Sequence, residues 1–212
     1  MGILTGALLA GIFGKYFSSW KKSKNLPFQS SDPAALVNAK KIVIIGCSGS
    51  GKTYCAFALA KKLHLPIIYL DQYTLKADWK RVPFDDLKIM HHELCTKPVW
   101  IMDGAYPKLL EECIDAADAI IFLDIARSVC LWNVIQRAIF DYGKVGEGDP
   151  AGCIQKPLSF KTLDFLRWIL NFNRNYRKNI ITLLEKNKET KLVYSIRLQA
   201  DIHRFIESIE NI

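Results

Sequence analysis

Gly46-Cys47-Ser48-Gly49-Ser50-Gly51-Lys52-Thr53 satisfies the pattern GxxxxGK[ST] at every specified position. The chemistry behind that spacing is phosphate binding. Glycines let successive backbone N–H groups curl around phosphate oxygens, and a helix opening behind them presents its positive end. The ammonium of Lys52 suits the β- and γ-phosphates, and the hydroxyl of Thr53 suits a magnesium ion. Gly46, Ser48, Gly49, Ser50, Gly51, Lys52 and Thr53 are therefore candidate contacts to ATP, with Lys52 also a catalytic candidate. The run Lys41–Ile45 (KIVII) before the loop and the helical pattern after it supply the context that the motif requires.

Three further hydrophobic runs end in aspartate: IIYLD at Asp71, VWIMD at Asp103 and AIIFLD at Asp124. In a parallel sheet all strands finish on one edge, and ligands bind there. An acid behind a buried strand is the usual magnesium- or water-positioning group of phosphoryl transfer. Asp103 is the best candidate for that role, sharing the metal with Thr53, and Asp71 is placed to meet the second substrate. Asp124 is the weakest of the three, because strand-end aspartates often cap turns. Positive charge for the moving phosphoryl group is expected from Arg137, Arg174 and Arg177. Guanine readout fails: the nearest fourth-motif segment, Asn187-Lys188-Glu189-Thr190, ends in Thr where an Asp is needed.

The elements that must hold these residues alternate. Strand signals at Lys41–Ile45, Pro66–Leu70, Val99–Met102, Ala119–Leu123 and Leu192–Ser195 are separated by helical patterns. Those helices are read at Thr53–Leu63, Phe84–Cys95, Lys108–Ala117, Ser128–Phe140, Phe160–Glu185 and Gln199–Ile209. Strands separated by helices of this length imply βαβ units, hence an α/β, three-layer P-loop NTPase fold with a parallel sheet. Tyr142–Pro157 holds four glycines and two prolines, and a loop that long in a compact domain is commonly a lid. The expected organisation is a leader and linker over 1–38 and a kinase-like domain over 39–212, its lid at about 142–158.

The 212 residues are half hydrophobic with a formal net charge of +8, which fits anionic partners without choosing among them. Residues 3–14 carry no charge, and Tyr16, Phe17 and Trp20 follow among lysines. That run is shorter than the roughly 20 residues a spanning helix needs and lacks a basic flank before it, so it is neither a membrane span nor a secretory signal. Residues 1–20 fit an interfacial membrane contact or a loosely packed leader equally well. Six scattered cysteines with no CxxC pair point to a reduced, cytoplasmic protein, and neither His91-His92 nor any Cys/His pair has metal-ligand spacing.

Beyond the phosphate loop, the chain resembles the adenylate-kinase-related P-loop proteins labelled DNA topology modulation proteins. The resemblance rests on Tyr69-Leu70-Asp71 followed by Trp79, on Trp100-Ile101-Met102-Asp103-Gly104-Ala105-Tyr106, and on Ala117-Asp118-Ala119-Ile120-Ile121-Phe122-Leu123-Asp124. It continues through Arg127, Cys130-Leu131-Trp132, Arg137, Gly152-Cys153 and Asp164-Phe165-Leu166-Arg167-Trp168-Ile169. The resemblance implies a nucleoside- or nucleotide-kinase-like fold, an ATP site and a mobile lid after Arg137; it defines no acceptor. The chain departs from the family pattern where lid arginines are usual, carrying Tyr142-Gly143-Lys144-Val145-Gly146-Glu147-Gly148-Asp149 instead.

The sequence reading is thus an ATP- and Mg²⁺-dependent kinase of an unidentified small acceptor. Two alternatives stay open: a nucleotide-dependent regulatory protein with vestigial catalysis, suggested by the depleted lid, and a nucleic-acid-associated ATPase. Against the last stands the lack of a basic tract interleaved with aromatics.

Overall fold

Five strands make one parallel sheet, in the order β2-β5-β1-β6-β7, in a computed structural model that describes residues 32–141, 143–146, 148–153 and 160–209. The leader and most of the linker, together with residues 142, 147 and 154–158 of the expected lid, lie outside the described residues. The sheet strands are β1 (Lys41–Gly46), β2 (Ile67–Tyr69), β5 (Trp100–Asp103), β6 (Ala119–Leu123) and β7 (Leu192–Ile196). A separate two-stranded antiparallel ribbon joins β3 (Leu75–Lys76) to β4 (Lys80–Arg81). The helices are α1 (Lys52–Leu63), α2 (Asp71–Thr74), α3 (Phe84–Thr96), α4 (Leu110–Ala116), α5 (Arg127–Phe140), α6 (Phe160–Phe172), α7 (Lys178–Asn187) and α8 (Gln199–Glu207).

The sheet is built from the β-branched runs of the sequence. Every residue of β6 is buried, and so are Ile42, Val43, Ile44 and Ile45 of β1. Successive strand residues point to opposite faces, so continuous burial means that helices cover both. This is the α/β three-layer arrangement that the alternating pattern implied. The register brings the strand ends level: Ile44 and Tyr69 both pair with Asp103, and Gly46 pairs with Leu123. The chain segments leaving β1, β2, β5 and β6 therefore all start from one edge of the sheet.

The structure differs from the sequence reading in three places. Asp71–Thr74 forms a single helical turn, and Leu75–Arg81 folds into the ribbon, where no regular element was expected. The region read as one helix over Phe160–Glu185 is α6 and α7 joined by a π-helical stretch, Asn173–Arg177. Asp32 caps a short 3₁₀ turn over Pro33–Asn38, accepting from the Ala34 amide at 3.0 Å, and Leu36 of that turn is fully buried. Among the described residues no helix is long and apolar enough to cross a membrane.

Candidate functional site

The phosphate loop follows β1 and ends at the first turn of α1. Its conformation demands glycine at two positions. Gly49 has φ of +79°, and a Cβ there would lie 2.4 Å from the Cys130 carbonyl oxygen of α5. Gly51, the residue preceding α1, has φ of +98°. The carbonyl of Gly49 is held by Asn133 Nδ2 at 2.8 Å, so α5 supports the loop from both a close backbone approach and a hydrogen bond. The Ser50 amide closes a turn on the Cys47 carbonyl at 3.1 Å.

The site fits a phosphate chain on three observations. The first N–H groups of a helix have no intrahelical acceptor. The first turn of α1 contains no acid, whereas α3 and α4 open with Asp85-Asp86 and Glu111-Glu112, which complement their own dipoles. α1 thus leaves its positive end for an anion. Ser50 Oγ, beside Gly46, is buried without a hydrogen-bond partner. Lys52 Nζ lies against the loop, donating to the Cys47 carbonyl at 3.0 Å.

Thr53 Oγ1 donates to Asp103 Oδ2 at 2.6 Å, across the gap between α1 and the end of β5. A hydroxyl and a carboxylate at this spacing make a hard-oxygen donor pair of the kind magnesium prefers. Desolvation raises the pKa of Asp103, while the Lys52 charge and the Thr53 hydrogen bond pull it down.

Asp71 belongs to the same electrostatic unit. It stands two residues past β2, as the first residue of α2. Desolvation raises its pKa, as do the carboxylates of Asp103 and Asp149, while Lys52 and Arg137 lower it. Asp71 thus lies within electrostatic reach of Lys52, Asp103, Asp149 and Arg137. Arg137, near the end of α5, is half-buried and lies within electrostatic reach of Asp71. Arg174 is exposed on the π-helical stretch.

Arg177, expected at the phosphates, instead holds Asp124. Its Nε and Nη2 donate to the two carboxylate oxygens at 2.6 and 2.7 Å, and Arg197 Nε lies 3.6 Å from the same group. Asp124 is 4% exposed, so its role in this geometry is to fasten the π-helical stretch to the end of β6. Of the three strand-end aspartates, two face the cleft and one is an anchor.

Asp149 was absent from the sequence-level site. The lid residues that the structure describes fold against the β2 side of the cleft. Gly148 packs on the Tyr69 ring so closely that a Cβ would lie 2.7 Å from it, Gly152 lies beside Ala77, and Cys153 Sγ donates to the Lys76 carbonyl at 3.2 Å. These contacts bring Asp149 to Asp71. Beside the loop, a cavity of about 50 Å³ under Trp168, Phe172 and Tyr176 reaches Gly46.

A second cluster went unseen. His91 and Cys95, one helical turn apart on α3, meet Cys113 of α4, with donor atoms all within 4.8 Å of one another. The reading that no Cys/His pair has ligand spacing is corrected here: the fourth-neighbour spacing was present, and the partner comes from another helix.

No family model matches the chain, and no curated protein matches it. Among solved structures, the chain is similar to a deoxyadenosine kinase from M. mycoides with bound dCTP, at 16% identity over 79% of this chain and 95% of that one, with a TM-score of 0.44. It is also similar to a shikimate kinase from Acinetobacter baumannii in complex with shikimate, at 13% identity, 82% and 95% coverage and a TM-score of 0.48. A shikimate kinase from Bacteroides thetaiotaomicron gives 20% identity, 80% and 95% coverage and a TM-score of 0.46. Likeness at this level assigns neither substrate nor activity.

Proposed function

We propose that the chain is an ATP- and Mg²⁺-dependent kinase, transferring the γ-phosphoryl group to a small nucleoside- or nucleotide-like acceptor, as the adenylate-kinase-related proteins it resembles suggest. The observation that carries this reading is the Thr53–Asp103 hydrogen bond beside the phosphate loop; Lys52, Asp103 and Arg137 within electrostatic reach of Asp71 support it. A nucleotide switch needs the loop and the metal pair; a second carboxylate with its own arginine is the extra equipment of transfer to an acceptor.

In this reading the phosphates of ATP lie along the Gly46–Thr53 loop and the start of α1. Thr53 and Asp103 would hold magnesium, which when bound neutralises charge on the β- and γ-phosphate oxygens. Lys52 supplies a fixed positive charge beside them. Asp71 accepts a hydrogen bond from the acceptor and orients its attacking oxygen. Arg137, with Arg174 on the far side of the lid, neutralises the moving phosphoryl group.

The test is release of ADP from labelled ATP across a panel of nucleosides, nucleoside monophosphates and small alcohols. Acceptor-dependent ADP, lost in Lys52→Ala, supports the kinase. ATP binding with no acceptor-dependent turnover anywhere on the panel would sink it. The second reading, a regulatory ATP-binding protein, is favoured by one observation: Asp149 adds negative charge next to Asp71, where lid arginines would add positive.

A further inference from the structure

The cluster between α3, α4 and β5 is remote in chemistry from the phosphate site, and no step of the proposed transfer uses it. His91, Cys95 and Cys113 have side chains from 0 to 4% exposed. Met102 of β5, also fully buried, adds a fourth donor: its thioether sulfur is 3.3 Å from Cys113 Sγ. Three elements thus send one imidazole, two thiols and a thioether to a common point.

We propose that His91, Cys95, Cys113 and Met102 form a closed binding site for one soft d¹⁰ cation, Zn²⁺ or Cu⁺. The geometry is close to what such an ion needs. Metal–sulfur bonds of about 2.3 Å in a tetrahedron give donor–donor edges of about 3.8 Å. His91 and Cys95 already stand at 3.7 Å through Nδ1 and 4.0 Å through Nε2, and the three strongest donors fit within 4.8 Å. Small side-chain adjustments close the remainder.

The surroundings select the metal-binding face of the imidazole. Glu112 Oε2 sits 2.9 Å from His91 Nδ1, and the same carboxylate reaches His92 Nδ1 at 2.8 Å. A carboxylate at Nδ1 favours the Nδ1–H tautomer and keeps the Nε2 lone pair unprotonated, and because Cys95 Sγ stands nearer Nδ1 than Nε2, the imidazole turns to bring Nε2 onto the ion. Binding releases the two thiol protons to solvent; Zn²⁺ neutralises the resulting thiolate pair, whereas Cu⁺ leaves one net negative charge on the site. Soft sulfur donors exclude magnesium, so the cluster does not compete for the ion proposed at Thr53 and Asp103. With Cu⁺ all four positions are filled by protein, Met102 included, and with Zn²⁺ the imidazole and two thiolates are the strong donors; either ion would pin α3 and α4 together beside β5.

The experiment uses the full chain, reduced and anaerobic, titrated with Zn²⁺, with Co²⁺ as its spectroscopic substitute, and with Cu⁺ from a chromogenic competitor. The expected result is one equivalent bound, with thiolate-to-cobalt charge transfer and tetrahedral d–d bands. Affinity falls by more than about 100-fold in His91→Ala and Cys95→Ser, beyond the upper end of what loss of an outer-sphere partner costs. Met102→Leu weakens Cu⁺ more than Zn²⁺, and Cys55→Ser changes neither. X-ray absorption on the metal-loaded wild type needs no variant to fold and should show sulfur scatterers at about 2.3 Å. No binding at one equivalent, binding that survives Cys95→Ser with Cys113→Ser, or a shell of oxygen and nitrogen alone would each overturn the site.

Discussion

Replacing Arg177 with alanine separates an anchor from a catalytic group. The side chain makes two hydrogen bonds of 2.6 and 2.7 Å to Asp124, whose carboxylate is 4% exposed. Removing one partner of a buried pair costs about 3–5 kcal/mol, mostly from the charge left behind. Arg177 is itself 24% exposed, and Arg197 remains 3.6 Å from the carboxylate, so the loss falls at the lower end. A value of about 3 kcal/mol, with a urea m-value of about 2 kcal/mol/M, moves the unfolding midpoint down by about 1.5 M. The double variant Asp124→Asn with Arg177→Ala recovers part of that loss, because no bare carboxylate is buried. In the same preparations, ATP affinity at 4 °C stays within about threefold of wild type. The opposite pattern, an unmoved midpoint with acceptor-dependent ADP release reduced by about 100-fold or more, would return Arg177 to the phosphates and refute the anchor.

Gly49→Ala forces a Cβ to within 2.4 Å of the Cys130 carbonyl at a left-handed φ, so calorimetry should find ATP binding abolished and stability lowered by about 1–3 kcal/mol. Desolvation raises the pKa values of Asp103 and Asp71 in the folded chain, so these groups favour the folded state less as pH rises from the ordinary carboxylate range through their folded values. Urea midpoints of the metal-free protein should carry that decline, and Asp103→Asn should flatten it. If the proposed transfer needs both carboxylates ionised, activity runs the other way, and the acidic limb of kcat/KM should lie above the range of an unperturbed carboxylate. Gly148→Ala presses a methyl group into the Tyr69 ring at a position 2.7 Å away and lifts the lid from the cleft. Steady-state kinetics should then show a higher KM for the acceptor, with ATP affinity nearly unchanged.

Much of this arrangement is local and therefore readable from sequence. The loop is contiguous, its helix follows directly, and the strands announce themselves as β-branched runs that end in aspartate. Parallel pairing then makes the gathering of Asp71 and Asp103 a matter of topology. What stayed hidden depends on partners far along the chain. Asp124 looks like its two siblings until Arg177, 53 residues on, closes over it. Cys113 looks like an isolated core cysteine until α4 packs against α3. Asp149 lies in a loop whose path is decided by Gly148 on Tyr69 and Cys153 on the ribbon, and none of those contacts has a sequence period.

The π-helical stretch over Asn173–Arg177 sets the angular phase of everything that follows it. An α-helix advances about 100° per residue, so one residue more or fewer turns all later side chains by that amount about the axis. Deleting one residue within 173–177 to restore a regular helix would carry Arg177 away from Asp124 and swing the buried side chains Ile180, Leu183 and Leu184 off the core together. Irregular hydrogen bonding in that turn thus works as a phase corrector, tuning the upstream aromatic face and the downstream apolar face to two different partners within one continuous rod.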